Sequence, residues 1–469
     1  MYFILEQCKF FLFERKQMVL RFWLGRGGYL YLNVALHLYY RYFSKDYYSA
    51  LSNLFRYERD VRALVGEDML SPLYGKIRAN FVQKYIYRVG KNEALLSFTT
   101  SQEAEDIRKQ FSAFGKECQV RMRYPKKDND PERQGDLMVL KPYMGDKEKG
   151  VLFIQYDEGV KRFASIFDIE RLAEYYRFVI EPSTSGYQNA MYFLCAGLDT
   201  EVFIESQFEP DFDYIGSLRN NFVPVRLGAG DWADPELFSV ETDAVKEYDV
   251  VMIANWLRWK RHELFFASLA KIRDSIKKVA VIGYAIDGRT LNNVKMESEK
   301  YQITDKIDFY ERIPLRQVAE IIKKSKIGIL LSKDEGANRA IYECFFSGVP
   351  VILSSVNRGV NRDHLNDSTG CLADDEQLPE SIKNMVASYN TYEPRRWAKA
   401  NTGYLNSTVK LNGIIQEIAR KNNEEWTQDI YYKHNLPHAR YKRPEELQQA
   451  NEAVSHLYQF VKNTHNCNV

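Results

Sequence analysis

The chemically richest stretch of the chain is SKDEGANRAIYECFFSGVPVI, residues 332–352. An apolar strand pattern ends at Ser332, a short polar loop follows, and a helical pattern begins near Asn338. Glu335 and Glu343 are eight residues apart, which corresponds to roughly 10 Å or a little more along a helix. Two carboxylates at this separation can accept hydrogen bonds from hydroxyl groups at both ends of one long ligand.

The loop between this strand and helix also suits an anion. In an open α/β sheet, ligands bind at the carboxyl ends of the strands. The free N–H groups of the first helical turn favour an anion such as a pyrophosphate. Ser347-Gly348 is a suitable helix end before the next apolar strand. The segment therefore fits the diphosphate, the sugar and the ribose of a nucleotide-sugar.

These residues resemble family 4 of the glycosyltransferases, a retaining family with the GT-B fold. Its signature is Glu, seven residues, Glu, then a small-residue turn and an apolar strand. Glu335 and Glu343 match the glutamates, and SGVPVI (347–352) matches the turn and strand. The resemblance implies that Glu335 contacts the donor sugar near the reacting centre and that Glu343 holds the ribose. It covers about residues 220–390; the alternative is a surface Glu and a helix Glu with no ligand.

A second motif, IANWLRWKRHELFF (253–266), lies at the first strand-to-helix turn of the C-terminal domain. The family usually places an Arg and a Lys there, five residues apart, on the donor phosphates. Lys260 matches the Lys, but Asn255 occupies the Arg position. We expect Arg258 or Arg261 to compensate, because a guanidinium suits phosphate well. The alternative for Lys260 is an exposed lysine at a helix start.

The remaining site predictions follow from the same family resemblance. Asn338 replaces a common Gly of the family and, with Arg339, is expected to alter which donor fits. The predicted donor-binding residues are Glu343, Asn255, Arg261, Gly336, Ala337, Asn338 and Arg339.

The N-terminal half offers weaker candidates for an acceptor site. The loop EPSTSGYQ (181–188) follows a strand and is small and polar. Family members often have a cleft-facing histidine in this half, whereas this chain has none between His37 and His262. The acceptor-side candidates are Glu181, Ser183 and Asp157. Asp231 is predicted to cap a turn, and the alternative is that it faces the cleft.

The elements that must position these residues alternate between strands and helices. In the N-terminal half we predict strands at 94–98, 117–124, 151–156, 177–182, 201–205 and 222–227, with helices at 101–115, 168–176 and 191–197 and a polar loop at 126–136. In the C-terminal half we predict strands at 249–255, 277–284, 306–311, 326–332 and 349–355, with helices at 260–274, 291–299, 315–325 and 339–347.

This alternation predicts an α/β protein of the GT-B type, with two Rossmann-like domains that face a cleft and an extra N-terminal helical region. The predicted domains are a helical region (1–92), an acceptor domain (93–228), a nucleotide-sugar donor domain (229–390), and a helical tail that packs back on the body (391–469). A linker is expected at 227–238.

Composition narrows the class of protein further. The chain has 469 residues, 65 basic and 63 acidic, and a net charge of +2. That balance argues against a nucleic-acid-binding protein. The six scattered cysteines form no CxxC pair, which favours a reducing compartment over a disulfide framework or zinc site.

Charged residues interrupt the apolar N-terminus, so neither a signal peptide nor a membrane span is expected. Residues 1–45 nevertheless carry seven Lys or Arg among many aromatic residues. Such a helix can lie on an anionic membrane or pack on protein. A cytoplasmic location, with peripheral contact on the inner face of a membrane, is the expectation.

We predict a retaining hexosyltransferase that uses a nucleoside-diphosphate sugar, a glycan or lipid-linked acceptor, and no metal or other cofactor. Glu335 and Lys260 are its predicted catalytic residues. Its expected role is polysaccharide or cell-surface glycan synthesis. The alternatives are a nucleotide-sugar epimerase of similar fold and a non-catalytic nucleotide-sugar-binding scaffold.

Overall fold

A computed structural model describes residues 32–65, 93–113, 137–145, 147–183, 189–218, 220–239, 245–336, 338–436 and 438–462. Within these ranges the chain forms two α/β halves, each built on its own sheet. No helix in these ranges is both long and apolar enough to cross a lipid bilayer.

The first sheet contains five strands in sequential order: β1 (Leu137–Lys141), β2 (Gly150–Gln155), β3 (Tyr176–Glu181), β4 (Val202–Glu205) and β5 (Phe222–Val225). Strands β2 to β5 are parallel, and β1 adds an antiparallel edge. The helices of this half are α1 (Tyr47–Val65), α2 (Glu93–Thr99), α3 (Gln102–Ala113), α4 (Tyr156–Ile166), α5 (Ile169–Ala173) and α6 (Glu209–Ser217). Residues 32–39 are also helical and continue into a π-helical turn, Tyr40–Ser44.

Different parts of the chain cover the two faces of this sheet. Parallel strands in sequential order with right-handed crossovers place all their connecting helices on one face. There Phe163 of α4 packs on Phe178, with ring centroids 5.2 Å apart. On the other face Phe153 shares a buried cluster with Leu411 and Ile415, from a helix more than two hundred residues later. The C-terminal segment therefore completes the N-terminal core.

The second sheet has six parallel strands: β6 (Tyr248–Ile253), β7 (Val279–Gly283), β8 (Ile307–Glu311), β9 (Ser325–Leu330), β10 (Val351–Ser354) and β11 (Gly370–Ala373). Their order is β11-β10-β9-β6-β7-β8. The chain starts in the middle, builds one side and then returns to build the other, which is the doubly wound arrangement. The topological switch point lies between β6 and β9.

Helices cover both faces of the second sheet: α7 (His262–Lys271), α8 (Leu291–Lys300), α9 (Leu315–Lys323), α10 (Ala340–Phe346) and α11 (Leu378–Ser388). One buried cluster joins Val250 to Phe265 of α7. The opposite cluster joins Val251 to Phe345 of α10. Neighbouring residues of β6 therefore point to opposite cores, as a central strand requires.

The chain then returns to the first half through α12 (Pro394–Asn401), α13 (Gly403–Lys421), the hairpin β12 (Lys433–Asn435) and β13 (Ala439–Tyr441), and α14 (Pro444–Leu457). Leu411 and Ile415 belong to α13. The backbone N–H of Tyr431 donates to the carbonyl of Leu140 at 2.6 Å. Val454 of α14 lies in the N-terminal buried cluster.

Most predicted elements are confirmed within a few residues, and the exceptions are local. The strand predicted at 94–98 is wrong, because this segment is helix α2. Its buried residues Leu95 and Phe98 have a spacing that also fits a helix, and a short apolar run does not distinguish the two. The region at 191–197 contains a short 3-10 turn, Tyr192–Cys195, and not a full helix.

Elements β1, α4, α6, β11 and the hairpin were not predicted. The strand at 117–124, the loop at 126–136 and parts of the N-terminal helical region (1–31 and 66–92) lie outside the described residues. The domain boundaries stay predictions.

Candidate functional site

The candidate site is formed by the two loops that flank the switch point of the second sheet. After β6 the chain makes a 3-10 turn, Arg258–Lys260, and α7 follows. After β9 it makes the loop that carries Glu335 and enters α10. Since β6 and β9 are neighbouring parallel strands, their carboxyl ends bring these two loops together.

Lys260 and Glu335 form a buried ion pair at this point. The Nζ atom of Lys260 lies 2.5 Å from Oε1 of Glu335, and the side chains are 10% and 4% exposed. The hydroxyl of Ser332 donates to the same carboxylate oxygen. A carboxylate with a cation and a hydroxyl on one oxygen keeps its other oxygen free for a ligand.

The loop around Glu335 is fastened to the loop after β10. The N–H of Glu335 donates to the carbonyl of Arg358 at 2.8 Å, and the N–H of Arg358 donates to Lys333 at 2.7 Å. Asn357 donates through its side-chain amide to the carbonyl of Ser332 at 2.7 Å. These bonds hold Glu335 in place through the backbone, as a preorganised site requires.

Glu343 lies on α10 and is buried. Burial raises the pKa of Glu343, and the positive charge of Arg339 partly opposes that rise. Among the described residues its carboxylate has no hydrogen-bond partner. Its carboxylate oxygens are therefore available to the hydrogen-bond donors of a ligand. Asn338, also buried, accepts a hydrogen bond from the N–H of Ile341 at 3.4 Å.

The other cations expected to bind the donor phosphates, Arg261 and Arg258, differ in their contacts and exposure. Arg261 donates to the carbonyl of Leu331 at 3.3 Å and forms an ion pair with Asp375. Arg258 is exposed to solvent. Asn255 accepts a hydrogen bond from the N–H of Leu257 at 3.2 Å, so it shapes its own turn. The expected compensation by Arg261 or Arg258 therefore finds no support in these contacts.

Arg339 has unused hydrogen-bonding capacity. Its Nη1 atom is buried and has no hydrogen-bond partner among the described residues. Arg339 directly precedes α10. Gly336 belongs to the same loop, whereas Ala337 lies outside the described residues.

The acceptor-side candidates occupy carboxyl ends of strands in the first sheet. Glu181 is fully buried; its carboxylate accepts from Asn435 at 2.8 Å and lies 3.4 Å from Nζ of Lys433. In this structure Glu181 is therefore not open to an acceptor. Asp157 accepts from Asn189 at 2.9 Å and is partly exposed.

The N–H of Ser183 donates to the hydroxyl of Tyr192 at 3.1 Å. Asp231 is confirmed as a turn cap, because it accepts from the N–H of Gly228 at 3.0 Å. It also accepts from the hydroxyl of Thr402 at 2.7 Å.

The carboxyl ends of both sheets meet around this site. Gln207, which follows β4, donates from its side-chain amide to the carbonyl of Gly336 at 2.8 Å and to that of Gly359. Tyr156, which follows β2, has a left-handed backbone with φ of 64°. Burial raises the pKa of Tyr156, as does the charge of Glu181, while the charge of Arg339 lowers it. Groups from both halves therefore surround the switch point.

Sequence reasoning missed Tyr156 and Gln207. Each follows directly on a strand of the first sheet or lies within two residues of its end. The carboxyl ends of parallel strands are where ligands bind, so this position was the available signal. Their residue types did not single them out, because neither Tyr156 nor Gln207 belongs to a sequence motif.

Comparisons with known proteins agree with this geometry for the second half. Residues 234–402, less than half of the chain, match the family model described as glycosyl transferases group 1. No curated protein matches the chain. Residues 234–402 are therefore similar to the group 1 glycosyl transferases, within a chain whose described residues form two α/β halves.

Several solved structures are similar at low identity. Sucrose-phosphate synthase from Thermosynechococcus elongatus is 15% identical over 58% of this chain and 74% of that chain, with a TM-score of 0.47. HepE from Anabaena, in complex with UDP and glucose, is 12% identical over 57% and 78%, with a TM-score of 0.44. A glycosyltransferase from Rickettsia africae is 15% identical over 56% and 74%, with a TM-score of 0.44.

Proposed function

We propose that this protein transfers a hexose from a nucleoside-diphosphate sugar to a hydroxyl acceptor, with retention of the anomeric configuration. The observation that carries the proposal is the buried Lys260–Glu335 pair at the switch point of the second sheet. Ligands of doubly wound sheets bind at this crevice.

The proposed roles follow from charge and hydrogen-bonding capacity. Lys260 neutralises the diphosphate, because an ammonium is a compact cation that binds phosphate well. Glu335 accepts hydrogen bonds from the sugar hydroxyls, and Ser332 with the loop backbone holds it in position. Glu343 accepts the ribose hydroxyls, which supply the hydrogen-bond partners that its buried carboxylate lacks.

In the proposed reaction the bond between C1 of the sugar and the diphosphate oxygen breaks, and a bond between C1 and the acceptor oxygen forms on the same face. The proton of the acceptor hydroxyl leaves with the diphosphate or passes to water. Negative charge grows on the leaving oxygen as the sugar becomes cationic. A preorganised cation at that oxygen lowers the barrier, by roughly 3–4 kcal/mol for one group of this kind.

The acceptor is proposed to enter from the first half of the protein, beside Tyr156. Polysaccharide or cell-surface glycan synthesis is the proposed setting. We propose that the reaction needs no metal ion, and unchanged transfer in the presence of EDTA would agree with this. A cytoplasmic location and membrane contact through residues 1–45 also stay proposals.

The first test is a thermal-shift screen of UDP-, GDP- and ADP-sugars against the purified protein. A ligand at about 100 times its dissociation constant stabilises the folded state by about 2.7 kcal/mol. The donor found in this way is then used to measure sugar transfer to glycan acceptors, with NMR of the product to read the anomeric configuration. Inversion would contradict the proposed stereochemistry.

Two variants test the assigned residues. Glu335→Gln and Lys260→Ala are each expected to lower transfer about 100-fold or more, because each removes a charge from the reacting centre. The matched control is Lys300→Ala, which removes an exposed lysine from its 2.6 Å pair with Glu263. Full transfer in a folded Glu335 or Lys260 variant would defeat that residue's role.

The same assays separate the alternatives. An epimerase would convert the donor sugar without any acceptor. A non-catalytic scaffold would bind the donor and show no turnover with any acceptor.

A further inference from the structure

A diphosphate carries more negative charge than the Lys260–Glu335 pair can neutralise. Lys260 is already matched by Glu335 at 2.5 Å, and Glu343 adds a second buried carboxylate nearby in sequence. A second cation is therefore needed to hold the donor, since an uncompensated buried charge is costly.

The arginines expected to supply that cation are not suited to it. Arg261 is matched by Asp375, and its side chain is only 13% exposed. Its remaining contacts are the carbonyl of Leu331 and the hydroxyl of Ser354, both at 3.3 Å. Arg261 thus ties together the ends of β9, β10 and the segment after β11. Arg258 points to solvent from the exposed side of its turn.

Arg339 differs from both Arg261 and Arg258. It is partly buried, and its Nη1 atom is excluded from solvent without a hydrogen-bond partner among the described residues. Leaving a buried donor of a charged group unsatisfied costs about 1–3 kcal/mol or more. Buried polar groups are normally hydrogen-bonded, and a bound ligand can supply the missing partner.

The position of Arg339 fits the same ligand. It lies four residues after Glu335 and four before Glu343, between the groups proposed to hold the sugar and the ribose. The diphosphate joins those two parts of a nucleotide-sugar. Gln207 binds the carbonyl of Gly336, three residues before Arg339, so the loop also contacts the first half of the protein.

We propose that Arg339 binds the diphosphate of the donor and, together with Lys260, neutralises it, in place of the arginine absent at Asn255. The guanidinium donates two parallel N–H groups to phosphate oxygens, a geometry that an ammonium does not offer. This inference rests on the proposed function and adds to it the second phosphate-binding residue.

The test measures binding of a nucleoside diphosphate by isothermal titration calorimetry. The nucleoside diphosphate is UDP, GDP or ADP, chosen because its nucleotide-sugar gives the largest thermal shift with the wild-type protein. Arg339→Ala is expected to weaken the nucleoside diphosphate about 10- to 100-fold, as for loss of a charge-assisted hydrogen bond. Arg339→Lys is expected to recover part of that loss, because it restores charge without the two-pronged geometry.

Two controls exclude a merely structural role. The melting temperature of ligand-free Arg339→Ala should stay close to that of the wild type, since removal of an unsatisfied buried donor offsets loss of the charge that opposes the pKa rise of Glu343. Arg273→Ala removes a surface arginine from its 2.6 Å pair with Asp305 and should leave nucleotide affinity unchanged.

Equal affinity of Arg339→Ala and wild type for the nucleoside diphosphate would overturn the assignment. That includes the case in which only the KM of the acceptor rises, which would place an acceptor anion at Arg339. If the wild type binds no nucleoside diphosphate, the proposed function itself fails, and this inference fails with it. If the wild type binds the nucleoside diphosphate and Arg339→Ala binds it equally well, only the assignment of Arg339 is refuted.

Discussion

His262, the first residue of α7, makes the stability of the protein sensitive to acid. Its side chain is 1% exposed, and neither ring nitrogen has a hydrogen-bond partner among the described residues. Burial, with the nearby charges of Arg289 and Lys260, lowers the pKa of His262 from 6.5 to about 3. The folded protein therefore keeps this ring neutral at pH values at which the unfolded chain protonates it.

The sign and size of the effect follow from proton linkage. Between pH 6.5 and about 3 the unfolded chain binds more protons at this position, so the free energy of unfolding rises with pH and levels off above 6.5. At pH 5 the loss relative to neutral pH is about 2 kcal/mol, from about 1.5 pH units at about 1.4 kcal/mol per unit.

The substitution His262→Phe tests this pH dependence of stability. An aromatic ring at this position keeps the packing against Trp256, whose ring centroid lies 5.5 Å away. We expect the variant to be at least as stable as the wild type at pH 7.5, because two unsatisfied ring nitrogens are removed. We expect it to lose about 2 kcal/mol less than the wild type on acidification to pH 5.

Urea unfolding followed by tryptophan fluorescence, at several pH values from 5 to 7.5, measures this difference. Some dependence on pH should remain in the variant, because burial also lowers the pKa of His364. Parallel curves for the wild type and the variant across this range would refute the reasoning.

Two further predictions concern contacts between distant parts of the chain. Lys433→Met leaves the buried Glu181 carboxylate without its cation and should reduce the free energy of unfolding by about 3–5 kcal/mol. The double variant with Glu181→Gln should recover most of that loss in urea unfolding, and simple additivity would contradict the pairing. Gln207→Ala removes the amide that binds the carbonyls of Gly336 and Gly359. At about 1 kcal/mol per hydrogen bond, we expect a roughly 10- to 30-fold rise in the KM of the donor with an intact fold. Unchanged kinetics would show that this contact does not support the site.

Local patterns were enough to predict the second half of the molecule. Strands β6 to β10 and helices α7 to α10 each carry a continuous apolar run or a helical period in the sequence. The loops that follow β6 and β9 were predicted to carry Lys260 and Glu335, and the structure brings these two side chains together. Their pairing follows from strand order, because parallel strands place their carboxyl ends at one edge.

The first half depends more on contacts that are remote in sequence. Its strands are buried on both faces, but α13 covers one of these faces from more than two hundred residues away. The hairpin that contributes Lys433 consists of two three-residue strands, too short to show a period. Glu181 was predicted at an open acceptor site because the sequence shows that it ends a strand. The sequence does not show that Lys433 is its buried partner.

The sequence by itself determined which segments are strands and helices in the second half, and which charged residues follow them. Only the tertiary structure decided which of those charges neutralise one another. Arg261 and Arg339 are both arginines in loops beside the same switch point, but Asp375 satisfies the first and the Nη1 atom of the second has no partner among the described residues. The reason is physical: a residue's type sets the hydrogen-bonding groups it can offer, while the folded neighbourhood sets whether those groups already have partners.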